Sequence, residues 1–517
     1  MRFSQGGIMA IGSTLSVGLI GLQAFIIQIQ AFVSPGLPFF SIIGLPDASL
    51  TEARERVRSA CTAAGFQWPQ TRVTVNMSPA SLPKRGSSHD LAIAASVLCA
   101  AHVIEPERVA HTIVIGELNL DGSVLPVSGI LPILLHAHER GVTTAIVPRG
   151  NQEEAMLVGG IDLMFVSHVA ELITLLGGNA TLPDIPPATP SAPSSSIAAQ
   201  HDLNADMAEV VDQTQAKWAL QIAAAGGHHL LMVGPPGTGK TMLASRLPSI
   251  MCPLEESEQF EVASIRSIMG TLAAYGISDI PPFQAPHHTA SVAAIVGGGS
   301  GIALPGAVTM AHRGVLFMDE GPEFAPRVLQ TLREPLESGT VAVARAKGTM
   351  VFPARFQLVM AANPCPCGFG YGSAERCTCR ERDRIRYFSR LSGPILDRID
   401  IQVDVLPTGH IGAATRQTGP TSAQMREQVI AARHMARERL NDQGWTCNAQ
   451  MSGAWLHEHT PADTIALVNK ALDSHLMSLR GADRALRLAW TIADLEGVGA
   501  PRIEHMHQAI AMRTRTA

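Results

Sequence analysis

The chain has 517 residues, 46% of them hydrophobic and only 4% aromatic, with a formal net charge of −5. That length exceeds a single core and calls for two to four domains; the apolar content excludes a disordered chain, and the mild acidity excludes a global basic field, so any DNA contact must come from a local basic surface. The 8 cysteines do not spread as a secreted disulfide framework, and a cluster of them crowds residues 365–379, which reads as a reducing, cytoplasmic setting.

From the N-terminus, residues 3–46 carry no charge. A leader or membrane segment would look similar, but Gln5, Ser13, Thr14, Ser16, Gln23, Gln28 and Gln30 interrupt the run. Ile27-Gln28-Ile29-Gln30 alternates with the period of a half-buried strand, so a β-rich start without a membrane span is expected. Arg72–Asn76 and Thr144–Pro148 read as strands, and Leu91–Ala101 as a buried helix. Residues 177–201 are a Pro/Ser/Ala tract, an extended linker between a domain over 1–176 and a second domain over 202–407. A helical segment follows over 420–517. Its clearest helix runs from Asp483 to Glu496 and ends at Gly497; Ser478-Leu479-Arg480 opens this last strong helix.

The most informative stretch is Gly234-Pro235-Pro236-Gly237-Thr238-Gly239-Lys240-Thr241. It follows the apolar run Leu230–Val233 and precedes a helical pattern, the context a phosphate-binding loop requires. Glycines let backbone N–H groups turn toward phosphates, and the helix N-terminus adds partial positive charge. Lys240 would reach the β/γ-phosphates of ATP, and Thr241 would ligate Mg²⁺. Gly314–Met318 then reads as a buried strand that delivers Asp319 to the Mg²⁺ shell and Glu320 to the attacking water. Leu358–Ala362 is another buried strand, ending at Asn363, which would help position that water; alternatively Asn363 is a turn residue before Pro364. In Leu396-Asp397-Arg398-Ile399-Asp400, Arg398 would protrude toward a neighbouring subunit's γ-phosphate, or else join a local ion network. Arg480 is the choice for a second phosphate sensor, with Arg484 as the runner-up.

The ordered set Gly-Pro-Pro-Gly-Thr-Gly-Lys-Thr, Val-Leu-Phe-Met-Asp-Glu, Ala-Asn-Pro-Cys-Pro-Cys-Gly and Leu-Asp-Arg-Ile-Asp resembles the magnesium-chelatase-like AAA+ ATPases, and within them the YifB/ComM family. Lys217–His228 and Thr491–Glu496 look like further signatures, so the resemblance covers nearly the whole chain. It implies an α/β architecture: an N-terminal Lon-protease-like α+β domain, an AAA+ P-loop domain with a parallel sheet, and a C-terminal helical lid. It also implies ATP with Mg²⁺, a homo-oligomer of hexameric form, and DNA as partner, as in a branch-migration helicase of recombination and natural transformation. The alternatives are an ATPase subunit of a metal chelatase, or a protein-remodelling ATPase.

The Lon-like resemblance rests on Gly44–Ala48 and Asn76–Lys84. It places Ser88 at the nucleophile and Leu131 where the Lys base would stand. A Ser without a base is an ordinary hydroxyl, and His89, its sequence neighbour, is poorly placed to substitute, so a binding or assembly domain is expected. Cys365-Pro366-Cys367 and Cys377-Thr378-Cys379 form two close pairs that would wrap a tetrahedral Zn²⁺; reversible disulfides or unligated thiols are the other readings. Arg376, Arg380, Arg382, Arg384, Arg386 and Arg390 surround them, either a solvated helix face with paired acids or a phosphate-backbone or subunit contact. By the resemblance, an insertion over Phe283–Ser291 and Gly297–Gly301 and a hairpin over Glu337–Pro353, with Arg345 and Lys347, face a central pore. His287 and His288 are expected to point apart in a strand and so not to share a metal.

Overall fold

The computed structural model describes residues 10–43, 48–79, 87–182, 205–299, 303–345, 348–371, 376–391, 393–407 and 419–513. They form two compact units, one mainly before and one mainly after the Pro/Ser/Ala tract, whose residues 183–201 lie outside the described set. Most of Gly44–Ala48, all of Ala80–Lys84, and Lys347 also lie outside it.

In the first unit the charge-free run folds as β1 (Ala10–Ile20) and β2 (Gln23–Ser34), paired antiparallel. The alternation is kept: Ile27, Ile29 and Ala31 are buried while Gln28 and Gln30 face out. With β3 (Phe39–Ile43), β4 (Arg72–Ser78), β5 (Thr112–Val114), β8 (Thr144–Pro148) and β9 (Asp162–Val166) they form a mixed sheet in the order β3-β4-β2-β1-β5-β8-β9. A short ribbon joins β6 (Glu117–Leu118) to β7 (Val124–Leu125). The predicted buried helix is Asp90–Ala100, and all its residues are buried, as a sequence apolar on every face except at Asp90 and Ser96 requires. It lies so close on β1 that a Cβ at Gly12 would fall 2.2 Å from the Ser96 carbonyl oxygen. Asp90, at its start, is held by Arg56 at 2.7 Å; burial nonetheless pushes its carboxyl up to about 7.

Ser88 sits in the short turn Ser87–His89, and Leu131 is fully buried in the helix Ile130–Glu139. His89 turns inward, with Nδ1 2.9 Å from Ser16 Oγ. Ser88 lines a cavity of about 210 Å³ together with Ser87, Glu117, Val127 and Ser128; among its described lining residues there is no Lys, Arg or His.

The second unit is built on a parallel sheet, β11-β14-β17-β10-β18. Its strands are β10 (Leu230–Val233), β11 (Phe283–Gln284), β14 (Val315–Met318), β17 (Gln357–Ala362) and β18 (Ile401–Asp404). β10, β14 and β17 are buried along their whole length, which is why, after Gln357 at the start of β17, they read as unbroken apolar runs. Two ribbons accompany the sheet: β12 (Gly297–Gly298) with β13 (Leu304–Pro305), and β15 (Thr340–Arg345) with β16 (Gly348–Pro353). The second occupies the predicted hairpin.

The expected C-terminal helices are present over Ser422–Leu440, Gly453–His459, Ala462–Asp473 and Leu479–Leu495. The last of these begins one turn earlier than Asp483, because the Ser478 hydroxyl accepts from Gly481 N and caps it. It is not the final helix: Ile503–Arg513 follows. A buried polar chain ties these helices to the sheet. Arg439 grips Asp494 at 2.8 Å with both terminal nitrogens. Asn448 bridges Asp494 at 2.7 Å and Thr491 at 3.1 Å, and Thr491 Oγ1 lies 2.8 Å from Nε2 of His228, just before β10.

Two outcomes follow. A fluorophosphonate probe is expected to leave Ser88 unmodified, and mass-spectrometric labelling of that hydroxyl would reveal an activating base. Arg439→Ala strands the buried Asp494 carboxylate and is expected to cost about 3–5 kcal/mol in urea denaturation; an unchanged midpoint would show that the pair holds nothing together.

Candidate functional site

The predicted phosphate loop leaves the end of β10 and enters the helix Lys240–Ile250. Gly234 N donates to Ala362 O at 3.1 Å, which pins the start of the loop to β17. Gly237 and Gly239 have φ of +80° and +87°, yet a Cβ on either would meet nothing within 4 Å. They are required by backbone handedness, and crowding plays no part. The space above them is open, as a cradle for phosphate must be.

Lys240 Nζ donates to Gly234 O at 2.6 Å, to Pro235 O at 2.9 Å and to Asn363 Oδ1 at 3.3 Å. Burial pulls this ammonium below its ordinary value, against the opposing charges of Asp319 and Glu320. Thr241 Oγ1 donates to Asp319 Oδ2 at 2.7 Å, and Asp319 Oδ1 accepts from Glu320 N at 2.9 Å. A hydroxyl and a carboxylate in direct contact beside a basic loop are the oxygen donors a Mg²⁺–triphosphate takes. So Gly234–Thr241, Asp319, Glu320 and Asn363 are gathered at one end of the parallel sheet, beyond the C-termini of β10, β14 and β17.

Glu320 has φ +53°, a left-handed conformation that costs a non-glycine residue about 1–3 kcal/mol. Its carboxylate is met by His288, with Nδ1 3.2 Å from Oε2. The two histidines do not point apart in a strand: β11 stops at Gln284, and their rings lie 4.1 Å apart. Pro286 ends the ladder there, and His287 Nδ1 turns back to Thr289 Oγ1 at 2.8 Å. Gln213 is a second residue that sequence reasoning missed. Its amide reaches Leu406 O at 2.7 Å and Thr238 O at 3.5 Å, behind the loop.

Arg398 and Arg480 stand elsewhere. β18 runs parallel to β10, with Ile401 opposite Leu230 and Asp404 opposite Val233. Residues before β18 therefore lie at the other end of the sheet from the phosphate loop, separated by the 4 residues of β10, or about 13 Å at roughly 3.3 Å per residue. Arg398 does not protrude in the single chain: it is 8% exposed and forms an ion pair with Glu337. It lines a cavity of about 290 Å³ with Glu337, Asp397, Arg480, Arg484 and Arg487. Arg480 has a side chain 77% exposed, 3.4 Å from Asp397. Arg484 is committed internally, to the carbonyl of Arg398 at 2.9 Å and to the Asp400 carboxylate. Burial works against ionisation of Asp400, but the His228 ring and the Arg484 charge hold its carboxyl far below the usual range. Burial also pushes His229 down to about 4, and its neutral Nδ1 accepts from Leu358 N at 3.0 Å.

Cys365, Cys367, Cys377 and Cys379 converge, with all sulfurs within 4.8 Å of one another. The Cys365 sulfur is 3.3 Å from that of Cys367 and 3.7 Å from that of Cys377. A tetrahedral zinc with Zn–S of about 2.3 Å needs sulfurs roughly 3.8 Å apart, so shifts of a few tenths of an ångström to about 1 Å would seat the ion among these four. Burial pushes the Cys365 thiol up to about 12, whereas the backbone N–H of Phe369 leads in pulling Cys367 down to about 6. Of the surrounding arginines, Arg376 stacks on Phe369 at 4.5 Å and Arg390 pairs with Glu323 at 3.1 Å. Arg380, Arg382 and Arg386 are exposed on or beside the helix Glu381–Ser389. Among the described residues no helix is long and apolar enough to cross a membrane.

The chain is similar to known proteins along nearly its whole length. Residues 206–411 match the family described as magnesium chelatase, subunit ChlI; residues 29–151 match subunit ChlI of Mg-chelatase; and residues 419–513 match its C-terminal part. The chain is 44% identical to an uncharacterized protein of Mycobacterium tuberculosis over 98% of its length and 99% of the relative's. It is 38% identical to competence protein ComM of Haemophilus influenzae over 98% of both chains. To protein YifB of Escherichia coli it is 37% identical over 96% of its length and 95% of the relative's. A shorter similarity, 33% over 29% of the chain and 18% of the relative, links it to a Lon protease of Heliobacterium modesticaldum. The chain thus belongs to the YifB/ComM family of magnesium-chelatase-like AAA+ ATPases.

Proposed function

We propose that the chain is an ATP-driven ring motor, hexameric by family resemblance, that moves DNA branch points. The observation that supports this most is the split of the site between the two ends of one parallel sheet. A loop at one end and arginines at the other cannot serve the same triphosphate within a chain, but a ring brings each arginine end against a neighbour's loop. In this reading the N–H groups of Gly234–Gly239 and the Lys240 ammonium hold the phosphates. Thr241 and Asp319 would hold Mg²⁺, which supplies charge neutralisation on the phosphates when bound. Glu320 accepts a proton from the attacking water, and Asn363, already bonded to Lys240, orients it. Arg398 of the next subunit stabilises the charge that develops on the transferred phosphoryl group. To act, it must exchange Glu337 for phosphate. Arg480, exposed beside it, is the second cation of the pair.

DNA as the track is supported by the exposed Arg380, Arg382 and Arg386, by the β15–β16 hairpin, and by the relative's name as a competence protein. A few cations and backbone amides suffice to grip a phosphate chain without reading bases. The four thiols are assigned to a structural Zn²⁺, and the Ser88 domain to binding or assembly.

Purified protein with ATP and Mg²⁺ is expected to convert a synthetic four-way junction to duplex products on a gel, with ATP turnover stimulated by DNA. Stimulation by unfolded protein and none by DNA would point to a protein-remodelling ATPase instead. Glu320→Gln is expected to keep ATP binding and lower turnover by at least about 100-fold; near-normal turnover would place the water-activating group elsewhere.

A further inference from the structure

The cysteine loop and the phosphate loop touch at three places. Ala362 O, at the end of β17, accepts from Gly234 N at 3.1 Å. Asn363, two residues before Cys365, accepts from Lys240 at 3.3 Å. The third contact is steric. A Cβ built on Gly368 would fall 2.6 Å from Cδ and 3.1 Å from Cγ of Pro236, so the proline ring rests on the bare Cα. Gly368 has φ +82°, and its N–H donates to Cys365 O at 3.0 Å, which closes a turn inside the cysteine cluster. Gly370 N points at the Cys365 sulfur from 3.2 Å. The first, third and seventh residues of the phosphate loop (Gly234, Pro236 and Lys240) thus all meet residues 362–368.

What closes the 365–379 loop decides how firmly Pro236 and Asn363 are held. Thiols alone attract one another weakly. A cation bound by four sulfurs fixes both ends of the loop at once, and such sites commonly supply folding free energy outright. We propose that the cysteine cluster is a metal-dependent brace on the phosphate loop, so that zinc occupancy sets nucleotide affinity. This rests on the reading of the four thiols as a zinc site. With the metal in place the loop is held in its binding conformation. Without it, only a fraction of molecules present a formed cradle, and the apparent affinity falls by that fraction.

The test uses the full chain, zinc analysis by mass spectrometry, and the dissociation constant of a fluorescent ATP analogue in Mg²⁺. Protein as purified is expected to hold about one zinc per chain. A zinc-selective chelator, followed by Mg²⁺, is expected to weaken nucleotide binding about tenfold or more, and added Zn²⁺ to restore it. Gly368→Ala is expected to retain zinc and still bind nucleotide about tenfold more weakly, because its methyl group displaces Pro236. Zinc-free protein that binds the analogue as tightly as the loaded form overturns the brace, and so does a zinc-loaded Gly368→Ala with wild-type affinity. Absence of zinc as purified, with no uptake and all four thiols titratable, overturns the metal reading itself. An unchanged circular-dichroism spectrum and melting transition in the zinc-free protein separate loss of the brace from unfolding.

Discussion

The direction of the parallel strands is the constraint on which everything else depends. Because β10, β14, β17 and β18 run the same way, residues that follow a strand and residues that precede one are fixed at opposite ends of the sheet. Gly234–Lys240, Asp319 and Asn363 follow strands; Arg398 and Asp400 precede one. No side-chain rearrangement can exchange these ends, since every one of these strands is locked by backbone pairing on at least one side. The single chain therefore keeps the phosphate loop and Arg398 at opposite ends of the sheet, and the proposed ring is the arrangement that would use both.

The arginine end is also where the helical region joins the sheet. Asp400 binds Arg484 from the helix Leu479–Leu495 and lies 3.5 Å from the His228 ring. His228 leads through Thr491 and Asn448 to Asp494 and Arg439. Breaking any buried member leaves a polar group without water or partner, so these helices and the segment that carries Arg398 into β18 are held as one piece. A motion of the helices would carry the arginine end with it. Glu337 and His288 differ: each pairs with a side chain to which the proposed mechanism gives work, Arg398 or Glu320.

The legible part of this site was what the chain writes contiguously. Gly234–Thr241, the strands before Asp319 and Asn363, and the grouping of the four cysteines could be placed from contiguous residues, because their spacing and strand–loop–helix settings stand beside them in the chain. The β-rich start was visible because Gln28 and Gln30 alternate with buried isoleucines. Partnerships across sequence were not legible. Nothing in Glu337 announces Arg398, and nothing in Gly368 announces Pro236, because those pairs exist only once the strands are ordered. The His287–His288 strand reading failed because Pro286 ends the ladder. The helix Ile503–Arg513 went unnamed because its apolar pattern is weak; Met506 and Ala509 nonetheless meet the core.

The most direct measurement mixes two inactive proteins. Lys240→Ala removes the phosphate-binding ammonium and keeps Arg398; Arg398→Ala does the reverse. Each alone is expected to be nearly silent in ATP hydrolysis. Combined in equal amounts, they form some junctions in which an intact loop faces an intact arginine, and turnover is expected to reappear as the protein concentration rises. If Arg398→Ala alone hydrolyses ATP at the unmodified rate, or if the mixture stays silent while mixed assemblies demonstrably form, the site is not shared between subunits.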